Sequence, residues 1–263
     1  MNPLTDFKAQ IKLVAAPPDV VKAVQTELNR VGFPLVVDGL AGIHTVASFE
    51  QFKKEHFLSN PDLLGPSSAE ALLTTEVSKF LTEPDYKRAS LQLGIEEALI
   101  KAVVKVETAG HGFLPDGRPK ILFERHWFYH FTAGQYVSLR PDICNADSGG
   151  YIGGAREWDR LTAAMHFNKT AALKSASWGL GQIMGFNSGS SGYGDVEVFV
   201  SAMQVSEGKQ LLAMMNFIKN ERGIYNALMG KDWANFARLY NGPRYKANNY
   251  DVNLANAYRS FVS

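Results

Sequence analysis

Apolar residues return at helical spacing between Ile95 and Val106. Ile95, Leu99, Ala102, Val103 and Val106 fall on one stripe, and Gly110 stands where such a helix would stop. Glu107 follows the stripe directly and shares a helix face with Val103 and Val104, three and four residues back. A longer pattern over 199–220 carries Ala202, Met203, Leu211, Met214, Met215 and Ile218 on its inner side. Residues 160–174 read as one alanine-rich helix. Asp232 is placed to cap a helix containing Trp233, Phe236, Leu239 and Tyr240. Tyr250, Leu254, Ala257, Tyr258 and Phe261 line a last helix. Between these elements, 111–120 is a loop by its Gly and Pro content. The stretch 132–157 is rich in turns around Gly149, Gly150, Tyr151, Gly153 and Gly154. No alternating strand of any length stands out, so the expected fold is mainly α.

A smaller helical frame precedes this one. Val20, Val21, Val24 and Leu28 mark a short helix that Gly32 ends. Asp38-Gly39 signals a tight turn, Gly42 permits a second unusual backbone angle, and Thr45 is placed to cap the next helix, with Val46, Phe49 and Phe52 inside. Pro66 opens a third helix holding Ala69, Leu72 and Leu73. Glu83-Pro84 interrupts any helix running out of this unit. The expected division is a small three-helix domain at 1–75, a connector at 76–92 and a larger helical domain at 93–263.

Composition narrows what such a chain can do. At 263 residues, 46% hydrophobic and 20% charged, it has the profile of a soluble globular protein. A net charge of +1 gives no bulk attraction for nucleic acid. One cysteine, Cys144, excludes an internal disulfide and a cysteine-ligated zinc site within one chain. The six histidines show no metal-ligand spacing, so neither metal nor cofactor is expected. The first ten residues lack an apolar core of signal-peptide length, and no stretch approaches the roughly 20 apolar residues that span a membrane.

Glu107 has two reasons to keep its proton: apolar neighbours and the negative end of its helix dipole. A general acid in glycoside cleavage needs such a carboxyl. The alternative is a solvated helix-end glutamate. Glu124, set among Phe123, Trp127 and Phe128, is a second carboxylate candidate; the alternative is a structural pairing with Arg118, Arg125 or His126. Asp116 and Asp147 are further carboxylates on loops. Gln182 and Asn241 offer amides suited to sugar hydroxyls and N-acetyl groups, and Tyr151, Trp178 and Tyr240 offer flat faces for sugar rings.

Two resemblances rest on these residues. Gln25, Leu28, Gly32, Asp38-Gly39-x-x-Gly42-x-x-Thr45, Phe49 and Phe52 resemble the three-helix peptidoglycan-binding domain of cell-wall hydrolases. The order of Glu107, the segment Ser177 to Ile183, and Tyr240-Asn241-Gly242 is similar to goose-type lysozymes and lytic transglycosylases. Over about 170 residues the second unit resembles the N-acetylmuramidase domain of modular phage endolysins. That match is carried by Val106-Glu107-Thr108, the run 112–126, Ser175 to Gly179, Gln182 to Asn187 and Tyr240 to Pro243. It departs where the family commonly has a bulky residue before the glutamine and this chain has Gly181. The resemblance implies a lysozyme-like fold cleaving the bond between N-acetylmuramic acid and N-acetylglucosamine. Glu107 and Glu124 would be catalytic, with Ser177, Trp178, Gln182, Tyr240, Asn241 and Tyr151 on the substrate. Asp38, Gly39, Gly42 and Thr45 would belong to the wall-binding domain. It further implies a monomer whose partner is peptidoglycan, without nucleic acid or membrane insertion. Such a protein would wait in the host cytoplasm for a separate pore-forming protein to release it. A lytic transglycosylase, and a non-catalytic wall-binding protein, remain alternatives at this point.

Overall fold

The computed structural model describes residues 1–33, 35–108, 110–243 and 245–262. Ala109, just after the Glu107 helix, and Ser263, the end of the expected second domain, lie outside the described residues. The chain forms two compact units, Met1–Ser78 and Lys79–Ser263.

The first unit has a two-stranded ribbon, β1 (Ile11–Lys12) antiparallel to β2 (Leu63–Leu64), and three helices: α1 (Pro18–Arg30), α2 (Ile43–Glu55) and α3 (Pro66–Thr74). Proline opens α1 and α3, where its missing N–H has no partner to lose. Val24, Leu28, Phe49, Phe52, Leu64 and Leu72 form a closed core. Thr45 does not cap α2. Gly42 holds that position, and the Thr45 hydroxyl inside the first turn accepts from Gln25 Nε2 at 3.1 Å.

The second unit contains α4 (Glu83–Leu93), α5 (Glu97–Glu107), β3 (Ile121–Phe123), α6 (Arg125–Phe131), α7 (Glu157–Phe167), α8 (Lys169–Lys174), β4 (Ala176–Trp178), β5 (Ile183–Met184), α9 (Val196–Met203), α10 (Glu207–Asn220), α11 (Arg222–Met229), α12 (Trp233–Asn241) and α13 (Tyr250–Val262). Much of the segment expected as a connector is therefore α4, capped by Thr82 and packed on α5 and α10. The helix α10 runs through the centre, with every residue from Glu207 to Met215 buried. Its partners include α4, α9 and α11, while α5 packs most extensively against α13.

Three elements differ from the periodicity reading. The helix expected over 160–174 is two helices, because the Asn168 side chain accepts from Ala171 N–H at 2.9 Å and restarts the chain as an N-cap. The pattern over 199–220 likewise breaks where Ser206 caps α10. A three-stranded antiparallel sheet, β3-β4-β5, is present where no strand was expected. Ile121 faces Trp178, Phe123 faces Ala176, and Ser177 faces Met184. All three residues of β4 are buried, so it shows no in–out alternation to betray it. No helix among the described residues is long and apolar enough to cross a membrane.

Candidate active site

Glu107 is the last residue of α5, beside the buried Val103 and Val104. Burial raises its carboxyl to a pKa of about 7, opposed by one hydrogen bond from Asn241. Asn241, the last residue of α12, donates its Nδ2 to Glu107 Oε1 at 2.9 Å. Its neighbour Tyr240 stacks on Phe236 at 5.5 Å between ring centroids, and its hydroxyl donates to Gly181 O at 3.3 Å. Burial, and then the Glu107 carboxylate, push the Tyr240 phenol upward, so it stays a neutral donor. The ends of α5 and α12 therefore meet at the Glu107 carboxyl, and Tyr240 ties α12 to the β4–β5 turn.

The turn itself is tightly held. Leu180 N–H donates to Gln210 Oε1 at 2.7 Å and Gly179 N–H to Lys120 O at 2.8 Å. A Cβ on Gly181 would lie 2.7 Å from the Met214 side chain, so close packing on α10 explains the departure noted at this position. Gln182 has a left-handed backbone, φ +46°, and its amide is engaged internally. It donates to Gly179 O at 2.7 Å and accepts from Ser177 Oγ at 2.9 Å. Farther back, the buried Glu207 accepts from Gly112 N–H at 2.6 Å and from Leu81 N–H at 2.9 Å, which ties the loop after Glu107 to the first turn of α10.

Glu124 directly follows β3, and its backbone N–H donates to Ser175 O at 2.9 Å. The Tyr151 hydroxyl donates to both carboxylate oxygens, at 2.9 and 2.8 Å. His126 Nδ1 lies 3.2 Å from Oε2, off the hydrogen-bonding line. Burial, then the Glu124 carboxylate, raise the Tyr151 phenol above its ordinary range. The sheet register sets Glu124 at the end of β3 away from the Gly181 turn, roughly 10 Å along the strand at about 3.3 Å per residue.

The expected residues thus fall into groups. Glu107 and Asn241 meet directly, Tyr240 follows them closely enough to feel the Glu107 charge, and its hydroxyl reaches the Gly181 turn beside Gln182, whose partner Ser177 lies on β4. Glu124 and Tyr151 form a pair of their own. Trp178 is corrected from a sugar platform to core: it is 1% exposed, edge-on to Trp158 at 5.7 Å, with Nε1 donating to Leu173 O. Asp116 is occupied on its loop by Arg118 at 2.6 Å. Gln210, Glu207 and Glu157 escaped the sequence reading. They sit on helices away from any motif, and only a polar residue inside an otherwise apolar helical face hints at them.

In the first unit the motif serves the turn. Gln25, 1% exposed, donates to Asp38 Oδ1 at 2.8 Å, Leu40 O at 3.0 Å and Thr45 Oγ1 at 3.1 Å. Its Oε1 accepts from Asp38 N–H at 3.1 Å and Gly39 N–H at 2.9 Å. The Gln25 donor holds the Asp38 carboxyl below its usual range. Gly39 has φ +83°, and a Cβ there would lie 2.9 Å from Pro18 O. Gly42 lies in open space, where a Cβ would meet nothing within 4 Å. A cavity of about 200 Å³ lies elsewhere in the unit, lined by residues that include Gln10, Lys53, Phe57, Asn60 and Ser67.

Comparison with known proteins gives a family and a similar structure. Residues 96–262 match the family described as N-acetylmuramidase. The crystal structure of the Burkholderia AP3 phage endolysin is similar to this chain at 37% identity and a TM-score of 0.68. The match covers 97% of this chain and 99% of that one. No curated protein matches the chain.

Proposed function

The chain belongs to the N-acetylmuramidase family, a peptidoglycan-cleaving glycoside hydrolase family, and on that premise we propose that Glu107 is its general acid. The observation that carries this is a half-buried carboxyl with a pKa of about 7 where α5 meets α12. At neutral pH it is poised to protonate the oxygen leaving between N-acetylmuramic acid and N-acetylglucosamine. Asn241 fixes the direction of the carboxyl. Tyr240 keeps a neutral hydroxyl at the same point, so no second negative charge competes there.

Glu124 is the second carboxylate in this reading. Held by Tyr151, it orients and deprotonates the water that completes hydrolysis. A water-activating carboxylate sets the reaction apart from transglycosylation, in which the muramic sugar closes on itself. Mass spectrometry of the sugar ends tests the assignment on purified peptidoglycan. Reducing muramic ends that vanish in Glu107→Gln are expected; anhydro ends from the parent enzyme would overturn hydrolysis.

We further propose that the unit Met1–Ser78 binds cell wall and that the protein works as a phage endolysin. The similar endolysin spans nearly the whole of both chains, which supports this two-unit reading. A monomer held on an insoluble polymer gains effective concentration without new contacts at the bond it cuts. In this reading the protein accumulates in the host cytoplasm and reaches the wall through a pore made by another protein. Removing residues 1–78 should leave cutting of soluble muropeptides intact and reduce sedimentation with wall. Unchanged sedimentation would refute the binding role.

A further inference from the structure

Glu157 is a carboxylate with no exposed surface, lying beneath the loop that carries Tyr151. Its Oε1 accepts from the backbone N–H of Ile152 at 2.7 Å and of Gly153 at 2.9 Å. Its Oε2 accepts from Phe123 N–H at 3.1 Å and from Arg160 Nη1 at 2.8 Å. Ile152 follows Tyr151 in the chain, and Phe123 precedes Glu124. One buried carboxylate therefore grips the two segments on either side of the Tyr151–Glu124 hydrogen bond.

The loop needs such an anchor. Gly149, Gly150, Gly153 and Gly154 all have positive φ, from +58° to +97°, so the backbone around Tyr151 has little preference of its own. Tyr151 is 47% exposed, which leaves packing too little surface to fix it. Arg160 completes the anchor: Nη1 also donates to Phe123 O at 2.8 Å, and Nη2 to Asp142 O at 3.2 Å. Burial works against the charge on Glu157, but the three backbone donors and Arg160 outweigh it and hold the carboxyl below its ordinary range. A buried ion pair is a poor source of stability compared with apolar packing. What this pair supplies is a fixed distance between a glycine-rich loop and the end of a strand.

We infer that Glu157, backed by Arg160, is a positioning residue that sets the Tyr151 hydroxyl against Glu124. The inference rests on the reading of Glu124 as the second carboxylate, and the experiment separates the two. Turnover on soluble muropeptides is measured for Glu157→Gln, Glu124→Gln and the double variant, each corrected for folded fraction. Glutamine presents an N–H₂ where Glu157 accepts, so at least one grip is lost. Turnover in Glu157→Gln should fall about 10-fold or more with KM little changed, and the same change in a Glu124→Gln background should cost nothing further. An equal loss in both backgrounds would make Glu157 merely structural and overturn the inference. Parent-like turnover in Glu124→Gln would remove the reading of Glu124 alone. The Glu157 claim then stands or falls on the Tyr151 phenol, titrated by ultraviolet difference against Tyr151→Phe. Its raised pKa should relax toward the ordinary value in Glu157→Gln, and an unchanged titration overturns positioning. Should Glu157→Gln fail to fold, Glu157→Asp keeps the charge with a shorter reach, and the same two readouts apply.

Discussion

Asn241 Nδ2 donates to Glu107 Oε1 at 2.9 Å, joining residues 134 apart in the chain. The bond favours the ionised carboxylate, whereas burial favours the neutral acid, and burial prevails. Asn241→Ala should therefore move the alkaline limb of kcat/KM upward, because the one opposing interaction is gone. Turnover should fall at the same time, since the carboxyl loses its direction. A pH–rate profile reads both. A limb that stays in place would mean that Asn241 has no part in tuning the acid.

Glu107→Gln keeps shape and hydrogen bonding but has no acidic proton to give. Lysis should fall by about 10²–10⁴-fold, the usual contribution of general acid catalysis. Parent activity itself should decline as pH rises through about 7, where Glu107 deprotonates.

The same substitution has a stability signature. Below the unfolded value of 4.5, Glu107 is protonated in both states and folding is unpenalised. Between 4.5 and about 7 the unfolded chain releases the proton while the folded protein keeps it, so stability drains away as pH rises. Above that range the accumulated cost is about 3 kcal/mol. Glutamine does not titrate. Thermal melts should show Glu107→Gln above the parent at pH 8 and level with it at pH 4; equal melting temperatures at both would mean that the folded state does not raise the Glu107 pKa.

Tyr151→Phe removes one hydroxyl and retains the ring. If Tyr151 orients Glu124, turnover should fall about 10-fold, in line with a hydrogen bond to a charged group worth roughly 1.5–3 kcal/mol. Glu124→Gln should fall further. Melting temperatures that drop while turnover per folded molecule holds would instead assign both residues to structure.

Gln25→Leu tests the first unit without touching the second. The two N–H groups of one buried amide are shared among three acceptors and its oxygen takes two backbone N–H groups, which holds the Asp38–Thr45 turn; the backbone groups left behind must find water or go unpaired. The unit should lose about 2 kcal/mol or more. Wall sedimentation should weaken while turnover on soluble muropeptides is unchanged. A parallel loss of turnover would contradict the separate roles proposed for the two units.

Glu107 was legible because an unbroken apolar stripe leads into it, and helical periodicity is a local property. Asn241 was legible as part of a motif, but its meeting with Glu107 is a matter of tertiary packing. The sheet was not legible: its strands are two or three residues long, and β4 is buried on both faces. The breaks at Asn168 and Ser206 were missed because the apolar spacing runs on through both caps. Trp178 was misread since an aromatic near a glycine-rich turn has the same spelling whether it faces a sugar or a neighbouring tryptophan. Glu157 and Gln210 had no motif at all; most of their partners are backbone groups, which leave no mark in the sequence.

The setting of Glu107 is completed from the far end of the chain. A ribosome that has just made α5 has made Glu107, but the Gly181 turn, Tyr240 and Asn241 are still untranslated, as is α13, the helix that packs most extensively on α5. Without those segments α5, at 11 residues, is too short to hold its helix in water, and Glu107 lacks the surroundings that raise its pKa. The raised pKa of Glu107 is therefore a property of the completed helical domain, and no N-terminal fragment that stops short of α12 can carry it whole.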